Sequence, residues 1–366
     1  MPSRRDFLMT AGAAAALCAG CGSTRTGPVT QPVDVPGAAA WDWPVGTPQA
    51  EGMDATAVAR TLDAGADLRA LRSLLVVRHG VLVAERYYAG ASADDLLGIQ
   101  SVTKSVSSML VGQAIGAGKI GGVSATVREL LPEATARIPD APAARLTLAH
   151  VLTGRTGLRY DWSTDGRALA TSADPVRFAL DLPADQPAGT AWSYNDAAVH
   201  LLSPILQRAQ GMDIAALATR DLFAPLGIRR YAWSRDRTGL PFAHGALQLR
   251  TRDLVKLPWT MLDGGRWQGR QVIPAAWVPD SLRRHGPAGW PAPPITDVGY
   301  GYLWFNGTLD GRPLIWGWGY GGQFALLAPS LRLAVATAAV PPPVAELANQ
   351  TQAMFALVAQ MVRAAG

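Results

Sequence analysis

The sequence predicts an α/β fold of the α+β type: one antiparallel sheet built from both ends of the chain and flanked by helices, with a mostly helical domain inserted between them. Three observations predict it. Runs rich in β-branched and aliphatic residues cluster before residue 90 and return after residue 295. The stretch between them shows helical periodicity broken by Pro and Gly, and the chain closes on an amphipathic helix.

The first runs are "SLLVVR" (Ser73 to Arg78) and "VLVAERYY" (Val81 to Tyr88), joined by His79-Gly80. Two β-rich runs around a two-residue turn ending in glycine predict a hairpin. From Ser101 the period changes: Val102, Val106, Met109, Leu110 and Ile115 recur at helical spacing until Gly116 to Gly122 ends the element. The middle offers the helical segments "LTLAHVLTG", "DAAVHLLSPILQRAQG" and "TRDLVKLPWTMLDGG". Strand patterns return at "YGYLWF", "PLIW", "QFALLA" and "LRLAVATAAV". In the last helix Leu347, Met354, Leu357, Val358 and Met361 share one face. The expected organisation is therefore a sheet domain of residues 51–122 and 295–366, interrupted by a helical domain of residues 123–294.

The N-terminus reads as an address. "SRRDFLM" followed by a short alanine-rich run has the charged and apolar regions of an export signal, over residues 1–20, and is too short to span a bilayer. Paired Arg4 and Arg5 resemble a twin-arginine signal. Ala19-Gly20-Cys21 resembles a lipoprotein cleavage site with Cys21 as the lipidated residue, although Cys18 stands where leucine is usual. A plain cleaved signal is the alternative. Residues 21–50, rich in Pro, Gly and Thr, then read as a tether. The expected location is periplasmic or cell-surface, with a lipid holding Cys21 to a membrane. Both cysteines lie in this region, which leaves the mature domain without a disulfide or a thiol nucleophile.

Composition narrows the function classes. With 49% hydrophobic and 17% charged residues the chain can bury a substantial core. The net charge of +5 is scattered and contains no block of like charge, which argues against nucleic acid. The five histidines show no metal-ligand spacing: His79 reads as a turn residue, and His150 and His200 as helical packing residues. No metal site is expected. Gly317, Gly319 and Gly322 match the dinucleotide fingerprint Gly-x-Gly-x-x-Gly, but "QFALLAPS" after them reads as a strand where the fingerprint requires a helix. No cofactor is expected, and close backbone approach to an acyl group accounts for these glycines. No Gly-x-Ser-x-Gly elbow is present.

The chemistry points to "GIQSVTKSV". Ser101 and Lys104, one of only three lysines in the chain, are spaced i and i+3, on one helical face. A cation in the first helical turn faces the positive end of the macrodipole, a poor position for stability alone. A serine hydroxyl needs a base within hydrogen-bond reach, and a lysine can serve if burial and positive potential lower its pKa. The plain alternative is an N-cap serine beside an exposed lysine, although a capping box calls for Glu or Gln at the third position.

Further along, "GTAWSYNDAAVHLL" places Tyr194 before a helical run, and "IWGWGYGGQ" places a glycine-rich turn at a strand edge. With "LLVVRHGVLVAERYYAG", "IQSVTKSVSSMLVG", "LTLAHVLTGRTGL" and "GALQLRTRDLVKL", these motifs resemble the serine β-lactamase and penicillin-binding-protein superfamily from about Ser73 to Val340. The closest resemblance is to the class C β-lactamase-related hydrolases, which include family VIII esterases and 6-aminohexanoate-dimer hydrolase. The resemblance implies that Ser101 is the acylated nucleophile, that Lys104 takes its proton or holds the local field, and that Tyr194 shares the proton relay. It implies an oxyanion hole of the backbone N–H groups of Ser101 and Tyr320. Asn195, Asp196, Trp318, Gly319 and Tyr160 are the expected supporting or substrate-binding residues, with Trp162 and Trp304 as pocket walls or core. The expected substrate is a small ester, amide or peptide-like molecule; oligomeric state stays open.

Two departures qualify the resemblance. The usual tyrosine motif is Tyr-x-Asn, but here Asp196 stands third; an acid near the lysine tends to raise its pKa, which leaves open whether Lys104 or Tyr194 is the base. The third motif usually carries Lys-Thr-Gly or His-x-Gly, whereas Gly317-Trp318-Gly319 has no cation to receive a substrate carboxylate. That favours an ester or amide over a β-lactam or D,D-peptide. A non-catalytic, lipid-anchored peptidoglycan-binding protein on the same fold is the alternative from a different class.

Overall fold

The computed structural model describes residues 30–366. The export signal with Arg4, Arg5, Cys18 and Cys21 lies outside the described residues, as does the first part of the expected tether. The strands are, in the N-terminal part, β1 (Val33–Asp34), β2 (Leu71–Arg78), β3 (Val81–Tyr87) and β4 (Leu97–Gly98). The middle holds β5 (Arg230–Trp233), β6 (Leu247–Leu249), β7 (Arg266–Trp267), β8 (Arg270–Gln271) and β9 (Gly286–Pro287). The C-terminal part holds β10 (Thr296–Tyr300), β11 (Phe305–Leu309), β12 (Arg312–Gly319), β13 (Gln323–Ala328) and β14 (Leu333–Ala339).

Both chain ends build one eight-stranded antiparallel sheet, in the order β3-β2-β14-β13-β12-β11-β10-β9. The join is β2 against β14, with Val76 opposite Val335. The β2–β3 hairpin turns on His79 at φ +51° and Gly80 at φ +85°, the two left-handed residues that a tight turn of matching twist requires. β1, β5, β6 and β4 form a second, smaller sheet, and β7 pairs with β8. The large sheet takes in β9, which precedes residue 295.

The helix Val102–Gly116 is buried along nearly its whole circumference, as befits an element enclosed between sheet and inserted helices. The C-terminal helix Val344–Arg363 buries Met354, Leu357, Val358 and Met361 and packs against the helix Ala55–Gly65 and β14. No helix among the described residues is long and apolar enough to cross a membrane.

Two expectations need correction. The described part of the tether is packed onto the body: Val33 pairs with Tyr231, and the Leu82 N–H donates to the Pro44 carbonyl at 2.8 Å along the edge of β3. Trp41 and Trp43 drive this, meeting Trp267 edge to face above the buried Lys256. The apolar area of two indoles outweighs the extended, Pro/Gly-rich character of the segment. The other correction concerns "YGYLWF", which is not one strand. β10 ends at Tyr300 and β11 starts at Phe305, because Leu303 turns at φ +61°. Its carbonyl there accepts from the Ser105 hydroxyl at 2.8 Å, which fixes the break to the Val102–Gly116 helix.

Candidate active site

Ser101 stands at the head of the Val102–Gly116 helix with φ −71° and ψ −4°. Its side chain makes no capping bond, which removes the capping explanation of the motif. The residue before it, Gln100, is held at φ +49°, a left-handed value that costs a non-glycine residue energy and tends to persist where surrounding structure demands it. The hydroxyl is turned instead to Lys104, whose Nζ lies 2.9 Å from Ser101 Oγ.

Lys104 is buried, and three oxygens surround its amine. Besides Ser101 Oγ, Nζ reaches the His244 carbonyl at 2.8 Å and Asp196 Oδ1 at 2.7 Å. The Ser101 hydroxyl oxygen and the His244 carbonyl accept hydrogen bonds from the amine, and Asp196 sets an opposite charge beside it. Burial pulls the Lys104 pKa below its ordinary value, and the Asp196 carboxylate opposes that pull. At Asp196 burial pushes the carboxyl up, but Lys104 outweighs it and holds the pKa below the usual range. Burial and the Asp196 carboxylate thus act on the Lys104 amine in opposite senses.

The Tyr194-Asn195-Asp196 segment enters the site because Asn195 starts the short helix Asp196–His200, its Oδ1 accepting from the Ala198 N–H at 2.8 Å. Asn195 is buried in this cap, so its support of the site is structural. Asp196 follows in the first turn, where a carboxylate is favoured. Tyr194 precedes the cap, with its ring centroid 4.6 Å from Lys104 Nζ and its hydroxyl in hydrogen-bonding reach of Ser101. Burial pushes this phenol well above its ordinary pKa, so it rests protonated.

β12 runs directly beside the helix head, and its glycines make that possible. A Cβ on Gly319 would lie 2.6 Å from the Ile99 carbonyl oxygen and 3.0 Å from Gln100 Cβ; one on Gly317 would lie 2.8 Å from Ser105 Oγ. The glycines allow the close approach of strand to helix. They bring Trp318, Gly319 and Tyr320 to the cavity that opens at Ser101.

That cavity has a volume of about 350 Å³. Tyr160, Trp162, Trp318 and Tyr320 line it, as does Trp290 from the loop between β9 and β10. Trp304 is fully buried and belongs to the core. Sequence reasoning missed Trp290, which sits in a run of Gly, Pro and Ala that reads only as loop. It also missed His244, whose backbone carbonyl binds Lys104; a carbonyl contact leaves no mark on residue type. His244 is among the residues lining the cavity, and burial pulls its pKa down to about 3, so it is neutral. His200 packs in the core, as expected, with its Nε2 2.9 Å from Asp236 Oδ2. Among the described residues no group of His, Cys, Asp or Glu is placed to hold a metal ion.

A sheet built from both chain ends, an inserted helical block and a Ser-Lys-Tyr cluster at one helix head define a protein of the β-lactamase/transpeptidase-like fold. The Beta-lactamase family model matches residues 58–354, and the chain belongs to that family. It is 29% identical over 247 residues to the 6-aminohexanoate-dimer hydrolase of Paenarthrobacter ureafaciens, covering 62% of this chain and 60% of that one. It is 28% identical over 245 residues to esterase EstB of Burkholderia gladioli, covering 58% and 62% respectively. The chain thus matches about three-fifths of the length of these relatives. A putative 6-aminohexanoate-dimer hydrolase from Bacillus anthracis shares the fold with a TM-score of 0.74 at 18% identity, over 91% of this chain and 92% of that one.

Proposed function

We propose that the protein is an exported serine hydrolase that cleaves an ester or amide through an acyl-enzyme on Ser101. The observation that carries this is the convergence at the helix head: Lys104 Nζ lies 2.9 Å from the Ser101 hydroxyl, and the Tyr194 ring lies 4.6 Å from the same amine. Relatives named as a hydrolase and an esterase support it.

In this mechanism Ser101 Oγ attacks the substrate carbonyl carbon. Its proton passes to the Tyr194 oxygen while Tyr194 passes its own proton to the leaving oxygen or nitrogen, so no phenolate is needed at rest. Lys104, kept an ammonium by Asp196, donates to Ser101 Oγ and stabilises charge as the bond forms. The backbone N–H groups of Ser101 and Tyr320 receive the oxyanion. Water then repeats the relay in reverse: its proton goes to Tyr194, the Tyr194 proton returns to Ser101, and the acid is released.

The absence of a cation in Gly317-Trp318-Gly319 favours simple esters and amides over β-lactams. The test is turnover of a nitrophenyl ester, a linear anilide and nitrocefin by wild type, Ser101→Ala and Tyr194→Phe. Ester or anilide hydrolysis lost by at least about a thousandfold in Ser101→Ala is expected; equal turnover in that variant refutes the assignment. The sequence motif at Ala19-Gly20-Cys21 supports export with a lipid on Cys21, which Cys21→Ser would release from the membrane fraction.

A further inference from the structure

We propose that the cavity at Ser101 takes an uncharged, apolar acyl group laid against Trp290, and that the enzyme rejects acyl groups ending in a carboxylate. The proposal rests on the hydrolase assignment and specifies its substrate.

The walls carry the case. Trp290 stands edge to face with Trp162 and with Trp318, each at 5.6 Å between ring centroids, and lies 4.5 Å from the Tyr194 ring. Trp162 continues the surface to Tyr320 at 6.4 Å. These rings form one aromatic wall leading away from the nucleophile. Leu169 and Ala170 from one helix and Leu347 and Thr351 from the C-terminal helix also line the cavity.

No lysine or arginine is among the lining residues. The only acid among them is Asp196, and its charge is already matched by Lys104 at 2.7 Å. A carboxylate carried into this cavity would therefore lose water and gain no counter-ion, which is expensive in an apolar enclosure. A hydrocarbon chain loses nothing comparable and gains contact area on these indole and phenol rings. The acyl group is the part that must be housed, because it stays bonded to Ser101 after the leaving group has departed to solvent.

The experiment compares two nitrophenyl esters of equal chain length, hexanoate and the monoester of adipate, on wild type, Ser101→Ala, Trp290→Ala and Thr351→Arg. The proposal expects wild-type kcat/KM to be at least about tenfold higher for hexanoate. It expects Thr351→Arg to narrow that ratio by raising adipate turnover, and Trp290→Ala to lower the ratio of hexanoate to acetate turnover. Equal or faster turnover of the adipate ester by wild type overturns the proposal while leaving the serine assignment intact, provided Ser101→Ala abolishes both. Turnover that survives in Ser101→Ala, or no turnover of any ester, overturns the hydrolase assignment and this proposal with it.

Discussion

Lys104 Nζ and Asp196 Oδ1 meet at 2.7 Å, inside a site where Lys104 is almost wholly enclosed. Burial works to strip the lysine of its proton and Asp196 works to keep it. In the proposed mechanism the ammonium form is the active one, so activity falls as pH rises through the Lys104 pKa, below the ordinary lysine value. Asp196→Asn removes the opposing charge and lowers that pKa further. The alkaline limb of kcat/KM against pH should move down by about one unit or more. If the variant instead extends activity to lower pH by shifting the acid limb, neutral Lys104 is the base.

Gly319 has no room for a side chain. An added Cβ would sit 2.6 Å from the Ile99 oxygen, against backbone that cannot swing aside. Gly319→Ala should push β12 away from the head of the helix and lower kcat/KM by about a hundredfold, since a displacement near 1 Å costs that much in a preorganised site. Circular dichroism and thermal unfolding would show the variant folded. Unchanged kinetics would mean that the strand does not help place the reacting groups.

Behind the site, His200 and Asp236 share a contact of 2.9 Å with both side chains fully enclosed. Asp236 also receives the Thr238 and Leu240 N–H groups, shaping the loop that leads to the His244 carbonyl. His200→Leu leaves a buried carboxylate without its partner and should cost about 3 kcal/mol in urea unfolding. The double variant with Asp236→Asn, which removes the charge but keeps an oxygen for the Thr238 and Leu240 N–H groups, should recover part of that loss. No recovery would show that the histidine acts by shape alone.

His244 supplies a test that needs no substrate. Burial holds its imidazole at about 3, against about 6.5 in an unfolded chain. The unfolded state then binds a proton the folded state refuses, so this stabilisation is complete above about pH 6.5 and is lost progressively as pH falls toward 3. His244→Gln should lose less stability than wild type between pH 7 and pH 4, read as the difference in denaturation midpoints. Parallel curves would place the ring in contact with water.

Much of this arrangement is legible before any coordinates. The Ser101–Lys104 pair follows from helical spacing, and the sheet shared between chain ends follows from where alternating patterns fall. Asp196 is visible as an acid in an unusual place. Trp290 and His244 are not, because loop conformation and carbonyl contacts depend on tertiary geometry that residue type does not encode. The packed segment around Trp41 and Trp43 shows the same limit: its composition describes a free chain, and partners distant in sequence, Trp267 and Lys256 among them, make it a fixed one.

The most direct measurement is intact and peptide mass spectrometry of the protein after incubation with a fluorophosphonate. A single adduct on the peptide carrying Ser101, absent in Ser101→Ala and much slower to form in Lys104→Met, is the predicted result. Labelling at another serine, or none while the protein hydrolyses an ester, would contradict the account.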